Sequence, residues 1–233
     1  MPLALNARGV GKVTVVQCSG RIVAGHETEA LRAHISGMMQ DRKDFVLHLG
    51  DVAFIDSSGL GTMVRLLTTT RKSHGDLKLC NVPQAIEKLL KMSNLNRLFE
   101  THDSEESAIS AFYRRSPTPA DTRTSGPPVL CVDQSTDVLA YLRELLKHSG
   151  HQVHTTSSVP DALILIRATC PVLMIVGPSL TASPSSHQAF QAACGRMPVV
   201  ELGSDFSTLD AGEAASRLLE RIQAHLQPKT GLS

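Results

Sequence analysis

The residues best suited to chemistry lie in one short segment: Asp56, Ser57, Ser58, Gly59, Leu60 and Gly61. The segment stands between an apolar run and an apolar helical pattern, which predicts a strand-to-helix turn with Asp56 as the N-cap. The free N–H groups and positive end of a helix favour added negative charge. The turn is therefore predicted to tolerate a phosphate on Ser57, and its glycines to let another protein approach closely. Helix capping alone is the simpler interpretation of the same residues.

The elements that position this turn alternate between strand and helix patterns. Apolar and β-branched runs on either side of Gly9–Gly11 predict a hairpin. The remaining predicted elements are a helix from His26 to Gln40, strands at Phe45–Leu49, Leu77–Val82 and Arg97–Thr101, and helices at Ala85–Met92 and Ser104–Tyr113.

Four of these features, in this order, resemble a known family. They are the strand Phe45–Leu49, the turn at Asp56–Gly61, the strand Leu77–Val82 and the helix that ends in Met92-Ser93-Asn94-Leu95. Together they resemble a STAS domain of the anti-sigma factor antagonist type, covering residues 1–115. The resemblance implies a mixed β-sheet with helices packed on it.

The same resemblance implies a bacterial, non-enzymatic phospho-switch. Ser57 takes the place of the serine that a partner anti-sigma serine kinase phosphorylates in the family, and Ser58 is the alternative acceptor. A metal-dependent, PP2C-type phosphatase removes that phosphate. The unphosphorylated form captures the kinase and so frees a sigma factor. Asp56 is expected to cap the helix and orient the hydroxyl, and residues 56–61 to contact the partner.

One departure from the family lies in the turn before the first helix. Many relatives carry an acidic residue there, whereas this chain has Gly20-Arg21-Ile22-Val23-Ala24-Gly25. Part of the expected partner surface has therefore changed, and a binding-only scaffold role stays open.

The second half is set apart by a segment at 116–128 that is rich in Pro, Ser and Thr and is predicted to be an extended linker. From residue 129 to 228, strand and helix patterns alternate again, which predicts a mostly parallel sheet covered on both faces. The expected fold class is thus α/β throughout, with a second, flavodoxin-like domain.

This second domain resembles a response-regulator receiver that lacks residues needed for phosphoryl transfer. The run Val129–Gln134 resembles the first receiver strand, and Val172–Pro178 the third. A receiver needs a carboxylate at the end of the third strand and an acidic pair for Mg²⁺. Here Gly177 holds the first position, and Asp133 stands beside Gln134. We predict a degenerate, phosphorylation-incompetent domain that docks on a partner or on a second copy.

Composition excludes several classes of function. A net charge of +1 gives no electrostatic footprint for nucleic acid or an anionic membrane, and 3% aromatic residues argue against base-stacking platforms. The five cysteines are odd in number and widely spaced, which predicts reduced core residues in a cytoplasmic protein. No apolar run is long enough to span a bilayer, and the N-terminus does not have the layout of a signal peptide.

Metal, cofactor and catalytic sites are not predicted. His148, His151 and His154 straddle a helix end and a strand, so their side chains are expected to diverge. A hydrolase using Ser57 as nucleophile would need a positioned base, and no histidine lies in a recognisable partner motif. The alternative to the antagonist is a non-catalytic scaffold subunit of a larger signalling assembly.

Overall fold

The chain divides into two units, Met1–Arg114 and Arg115–Ser233, in a computed structural model. The structure describes residues 1–114, 126–181, 188, 190, 192–195, 197–203, 206 and 211–226. Most of the predicted linker, residues 116–125, lies outside this part of the chain, and Pro128 is already the first residue of a strand.

The first unit is built on a five-stranded mixed sheet with the order β1-β2-β3-β4-β5. Its strands are β1 (Ala4–Val10), β2 (Val13–Ile22), β3 (Asp44–Ile55), β4 (Asp76–Cys80) and β5 (Thr101–His102). The hairpin β1–β2 is antiparallel, and its turn uses Gly11 with a positive φ of 60°. The other three pairs are parallel, because helical crossovers connect their strands.

Four helices pack on this sheet: α1 (His26–Met38), α2 (Ser57–Lys72), α3 (Gln84–Met92) and α4 (Glu105–Arg114). Leucines and isoleucines at helical spacing on α1, α2 and α3 bury against one sheet face, which includes Leu47 and Leu79. Side chains alternate along a strand, so Lys78 lies on the opposite face, where its ammonium is 4.9 Å from the Phe112 ring centre of α4. The sheet is therefore covered on both faces.

The length of β3 decides where the candidate site lies. This strand pairs with β4 only from Asp44 to His48, but it pairs with β2 as far as Ile55 opposite Ile22. The carboxyl ends of β2 and β3 therefore extend together beyond β4. The chain turns into α2 at this projecting end.

The second unit contains a four-stranded parallel sheet with the order β7-β6-β8-β9. Its described elements are β6 (Pro128–Val132), α5 (Thr136–His148), β7 (Gln152–Thr156), α6 (Val159–Thr169), β8 (Leu173–Val176), the short α7 (Pro178–Thr181), β9 (Val199–Glu201) and α8 (Ala211–Leu226). Every residue of β8 is buried, as expected for a central strand covered on both faces. The expected fold class, a mixed sheet followed by a flavodoxin-like parallel α/β unit, is confirmed.

Two sequence-based boundaries were wrong. The strand expected at Arg97–Thr101 is only Thr101–His102, because Leu95–Arg97 forms a 3₁₀ turn that follows Asn94 in a left-handed conformation. The strand expected to end at Leu49 continues to Ile55, because pairing with β2 carries it through Gly50 and Asp51. Among the described residues, none of the helices is long and apolar enough to cross a membrane.

Candidate functional site

Ser57 and Ser58 stand exposed at the first two positions of α2. Neither hydroxyl makes a hydrogen bond within the part of the chain that the structure describes. Both are therefore sterically open to a modifying enzyme. The acceptor role itself stays a prediction.

Asp56 is the N-cap of α2 and joins two segments of the chain. Its Oδ1 accepts a hydrogen bond from the backbone N–H of Gly59 at 2.7 Å, and its Oδ2 accepts one from the backbone N–H of Ala24 at 2.9 Å. The N–H of Asp56 donates to the carbonyl of Ile22 at 3.2 Å. The turn between β2 and α1 is thus fastened to the first turn of α2.

These hydrogen bonds set the charge of the site. The backbone donors, Ala24 first and then Gly59, hold the pKa of the Asp56 carboxyl below its ordinary value, so the group is ionised at neutral pH. Asp56 was expected to orient the Ser57 hydroxyl, but its carboxylate accepts hydrogen bonds from the backbone N–H groups of Ala24 and Gly59 instead. Ala24 was not foreseen, because a backbone donor leaves no signal in the sequence.

The two glycines of the turn have different roles. A Cβ on Gly59 would lie 2.2 Å from the Ile22 carbonyl oxygen, so this glycine lets α2 pack directly against the end of β2. Gly59 is buried, and Leu60 is only 7% exposed. Both lie inside the unit and not on a surface that a partner could contact, which corrects that part of the sequence-based site. Gly61 is exposed and has open space at its Cβ position, as a close approach requires.

Exposed side chains around the turn add an aromatic and a basic group. Phe54 is 53% exposed, and its register partner on β2 is Arg21, which is also exposed. The strand pairing shifts register between Gly20 and Arg21. Bulges of this kind often redirect side chains beside functional sites.

A second serine, Ser107, contacts a histidine between β5 and α4. His102 lies with Nδ1 3.2 Å from the Ser107 hydroxyl and Nε2 3.1 Å from a Glu100 carboxylate oxygen. The N–H of Ser107 donates to the Ser104 hydroxyl, and the N–H of Ala108 donates to the Ser104 carbonyl. Neither donor is free to stabilise an oxyanion, so the contacts join α4 to the sheet and do not form a nucleophilic site.

In the second unit, Asp133 and Gly177 come together at the carboxyl ends of β6 and β8. The Asp133 side chain is buried, and its Oδ1 accepts a hydrogen bond from the N–H of Ser135 at 2.7 Å. Its Oδ2 lies 1.8 Å from the position that a Cβ on Gly177 would take. The carboxylate of Asp133 thus fills the space where a longer side chain at 177 would begin.

His148, His151 and His154 lie in different surroundings. His148 Nδ1 donates to the Glu144 carbonyl at 2.7 Å at the end of α5, His154 is buried, and burial lowers the pKa of His151. Within the described residues, His, Cys, Asp and Glu side chains form no group of three or more that could hold a metal ion.

Comparisons with known proteins concern the first unit. Residues 4–108 match the family model of the STAS domain. An anti-sigma F factor antagonist from Paenibacillus polymyxa is 29% identical over 100 residues, covering 42% of this chain and 85% of that protein. A putative anti-sigma factor antagonist from Bordetella bronchiseptica is 25% identical over 99 residues, with the same shares of each chain, 42% and 85%.

A crystal structure of a putative anti-sigma factor antagonist from Thermotoga maritima covers 47% of this chain and 95% of that chain, with 21% identity and a TM-score of 0.45. Over residues 4–108 the chain matches the STAS family model, and anti-sigma factor antagonists are among its relatives there.

Proposed function

We propose that this chain is a cytoplasmic anti-sigma factor antagonist that works as a phospho-switch. While Ser57 is unphosphorylated, the surface around it captures an anti-sigma serine kinase and so frees a sigma factor. The observation that carries the proposal is the exposed hydroxyl of Ser57, which makes no hydrogen bond to any described residue, on a backbone fixed by Asp56. The antagonists among the homologues of this half support it.

The charge of the phosphate is what would weaken binding to the kinase. A phosphate adds about −1.5 to −2 charges at neutral pH, and the adjacent Asp56 is already ionised. Burying both charges at a packed interface would cost more than the ~1.4 kcal/mol that changes an affinity tenfold. One hydroxyl can therefore control one complex. A PP2C-type phosphatase would restore the binding form.

The chain has no catalytic role in this proposal. No histidine hydrogen-bonds to Ser57 within the described residues, so that serine has no general base of the kind a hydrolase uses. Ser57 acts as a substrate of the partner kinase.

The second unit enters the proposal as a degenerate receiver-like domain, over residues 129–228, after a STAS domain at 1–115 and a linker at 116–128. The Asp133 carboxylate against Gly177 supports a domain that takes no phosphoryl group, because the position of the nucleophile is filled. Its role would be docking on a partner or self-association.

The test starts from identification of the kinase. The full chain and its Ser57→Asp variant are used as baits, and captured proteins are identified by mass spectrometry. A captured anti-sigma serine kinase is then purified and incubated with the chain, ATP and Mg²⁺. Intact-mass analysis is compared for wild type, Ser57→Ala and the matched control Ser58→Ala.

Addition of one phosphate to wild type and Ser58→Ala, but not to Ser57→Ala, supports the proposal. Stoichiometric modification of Ser57→Ala would assign the acceptor elsewhere, and identical partners on both baits would contradict the phospho-switch. The alternative, a scaffold subunit, predicts a large homomeric particle on size-exclusion chromatography in place of a discrete complex with one kinase.

A further inference from the structure

One backbone donor in the first turn of α2 is already bound to a carboxylate before any phosphate is added to Ser57. The N–H of Gly59 is bound to Asp56, whose other oxygen holds the N–H of Ala24. Backbone N–H groups at a helix start are the usual ligands of a phosphate, and here the Asp56 carboxylate already binds that of Gly59. A phosphoryl group on Ser57 would therefore lie beside an ionised acid, and a cation from another element would offset that repulsion.

Arg21 is the cation that the fold places at this edge. It is the penultimate residue of β2, it is exposed, and its guanidinium makes no hydrogen bond or ion pair within the described residues. Two other arginines of the unit are engaged: Arg32 with Glu29 at 2.7 Å, and Arg71 with Asp76 at 2.9 Å.

The remaining charged side chains near the turn are less suited to this role. Arg65 lies more than two helical turns along α2 from Ser57. His26 begins α1, and Asp51 on β3 accepts a hydrogen bond from Gln17 at 3.3 Å.

The end of β2 and the start of α2 are in direct contact. The Ile22 carbonyl accepts the N–H of Asp56 at 3.2 Å, and it lies 2.2 Å from the position of a Cβ on Gly59. Arg21 immediately precedes Ile22, and Ser57 immediately follows Asp56. Ile22 and Asp56 are joined by this hydrogen bond, and Arg21 and Ser57 are their neighbours in the chain. The position that carries the guanidinium is therefore close to the position proposed to carry the phosphate.

From this placement we infer that Arg21 is a phosphate-binding residue that pairs with phosphoserine 57 in the same chain. The planar guanidinium can donate two parallel hydrogen bonds to phosphate oxygens, which a lysine ammonium cannot do. The pair would hold the phosphate against the end of the sheet, over the surface that the unphosphorylated form offers to its partner. This inference rests on the proposed modification of Ser57.

The experiment installs phosphoserine at position 57 of the full chain by genetic code expansion, so it needs no kinase. The second ionisation of the phosphate is followed by ³¹P NMR titration at low salt in four chains: wild type, Arg21→Gln, Arg21→Lys and the matched control Arg65→Gln. The unphosphorylated forms are checked by thermal melting, so that a folding defect is not mistaken for a lost contact.

Pairing with Arg21 favours the dianion and lowers the phosphate pKa. We expect the value in wild type to be lower than in Arg21→Gln by about 0.5, with Arg21→Lys between them and Arg65→Gln equal to wild type. The difference should shrink in 1 M salt, because the pair is exposed. Equal values in wild type and Arg21→Gln, or an equal change in Arg65→Gln, would overturn the inference.

This outcome is independent of the proposed function. A kinase that never modifies Ser57 would remove the biological role of the pair, but the titration would still report the contact. Conversely, a titration without an Arg21 effect leaves the kinase assay on Ser57→Ala unchanged.

Discussion

The carboxylate of Asp56 accepts a hydrogen bond from the backbone N–H of Ala24 at 2.9 Å, across 32 positions of sequence. This contact fastens the turn before α1 to the start of α2, so the surface around Ser57 is composed of two segments joined by a hydrogen bond. The same carboxylate also caps α2 through Gly59. Stability of the domain and geometry of the proposed switch therefore depend on one ionised group.

Acid titration should reveal this dependence. The hydrogen bonds depress the pKa of Asp56, so its stabilising contribution is present above the unfolded value of about 3.9 and is lost as the pH falls through the lower, folded value. At pH 7, Asp56→Asn should melt a few degrees below wild type, and the difference should narrow below pH ~4. Thermal melts monitored by circular dichroism measure both.

The matched control is Asp41→Asn, which removes an exposed acid that makes no side-chain hydrogen bond within the described residues. It should follow wild type at every pH. A constant Asp56→Asn difference from pH 7 to pH 3 would contradict the charge-based account.

Gly59 and Gly61 should respond oppositely to alanine. Gly59→Ala forces a Cβ against the Ile22 carbonyl and should lower the free energy of unfolding by about 2 kcal/mol or more. Gly61→Ala meets open space inside a helix, so it should raise that free energy by about 0.5–1 kcal/mol. Urea denaturation of the full chain measures both changes.

Gly37 offers a control for the second half of this prediction. It is an exposed helical glycine in α1 with open space at its Cβ, like Gly61. Gly37→Ala should stabilise the fold to a similar degree and leave kinase binding unchanged, whereas Gly61→Ala should weaken binding because a partner approaches there. Equal binding by both variants would remove Gly61 from the interface.

Asp133 and Gly177 should be energetically coupled. Gly177→Ala places a Cβ 1.8 Å from the present position of Asp133 Oδ2, so it should destabilise the second unit by about 2 kcal/mol or more. In an Asp133→Ala background the same change should be nearly neutral. Hydrogen exchange of the β6 and β8 peptides in the full chain measures the cycle, and additive effects would show that the two residues do not share this space.

The cysteines should react in a fixed order. Burial raises the pKa of Cys18, Cys80 and Cys131 to about 12, and only a thiolate reacts quickly. Cys170 is exposed at the end of α6, so the sequence-based assignment of core positions does not hold for it. At pH 8, N-ethylmaleimide should label Cys170 first and the three buried thiols only in denaturant, as peptide mass spectrometry would show.

Local patterns in the sequence were enough to predict most elements and the cap at Asp56. Hydrophobic spacing located α1 and α2, and the acid before two serines marked the start of α2. The strand β3 was cut short at Leu49, because Gly50 and Asp51 look like a turn until the pairing with β2 is known.

The parts that the sequence left undetermined depend on distant neighbours. Gly59 and Gly61 are alike in the sequence, and only the Ile22 carbonyl distinguishes them. The Asp133 carboxylate, after β6, occupies the space beside Gly177, after β8. These two residues are far apart in the sequence, so no local pattern predicted their proximity. Contacts between residues that are far apart in the sequence fix both, and the local sequence carries no signal for them.

The central claim is that one phosphate on Ser57 controls capture of the anti-sigma kinase. Isothermal titration calorimetry of the purified kinase against the full chain, with serine or installed phosphoserine at position 57, tests it most directly. We predict that phosphoserine raises the Kd at least about tenfold, while Ser57→Ala binds like the unphosphorylated chain. Equal Kd values for the serine and phosphoserine forms would contradict the account.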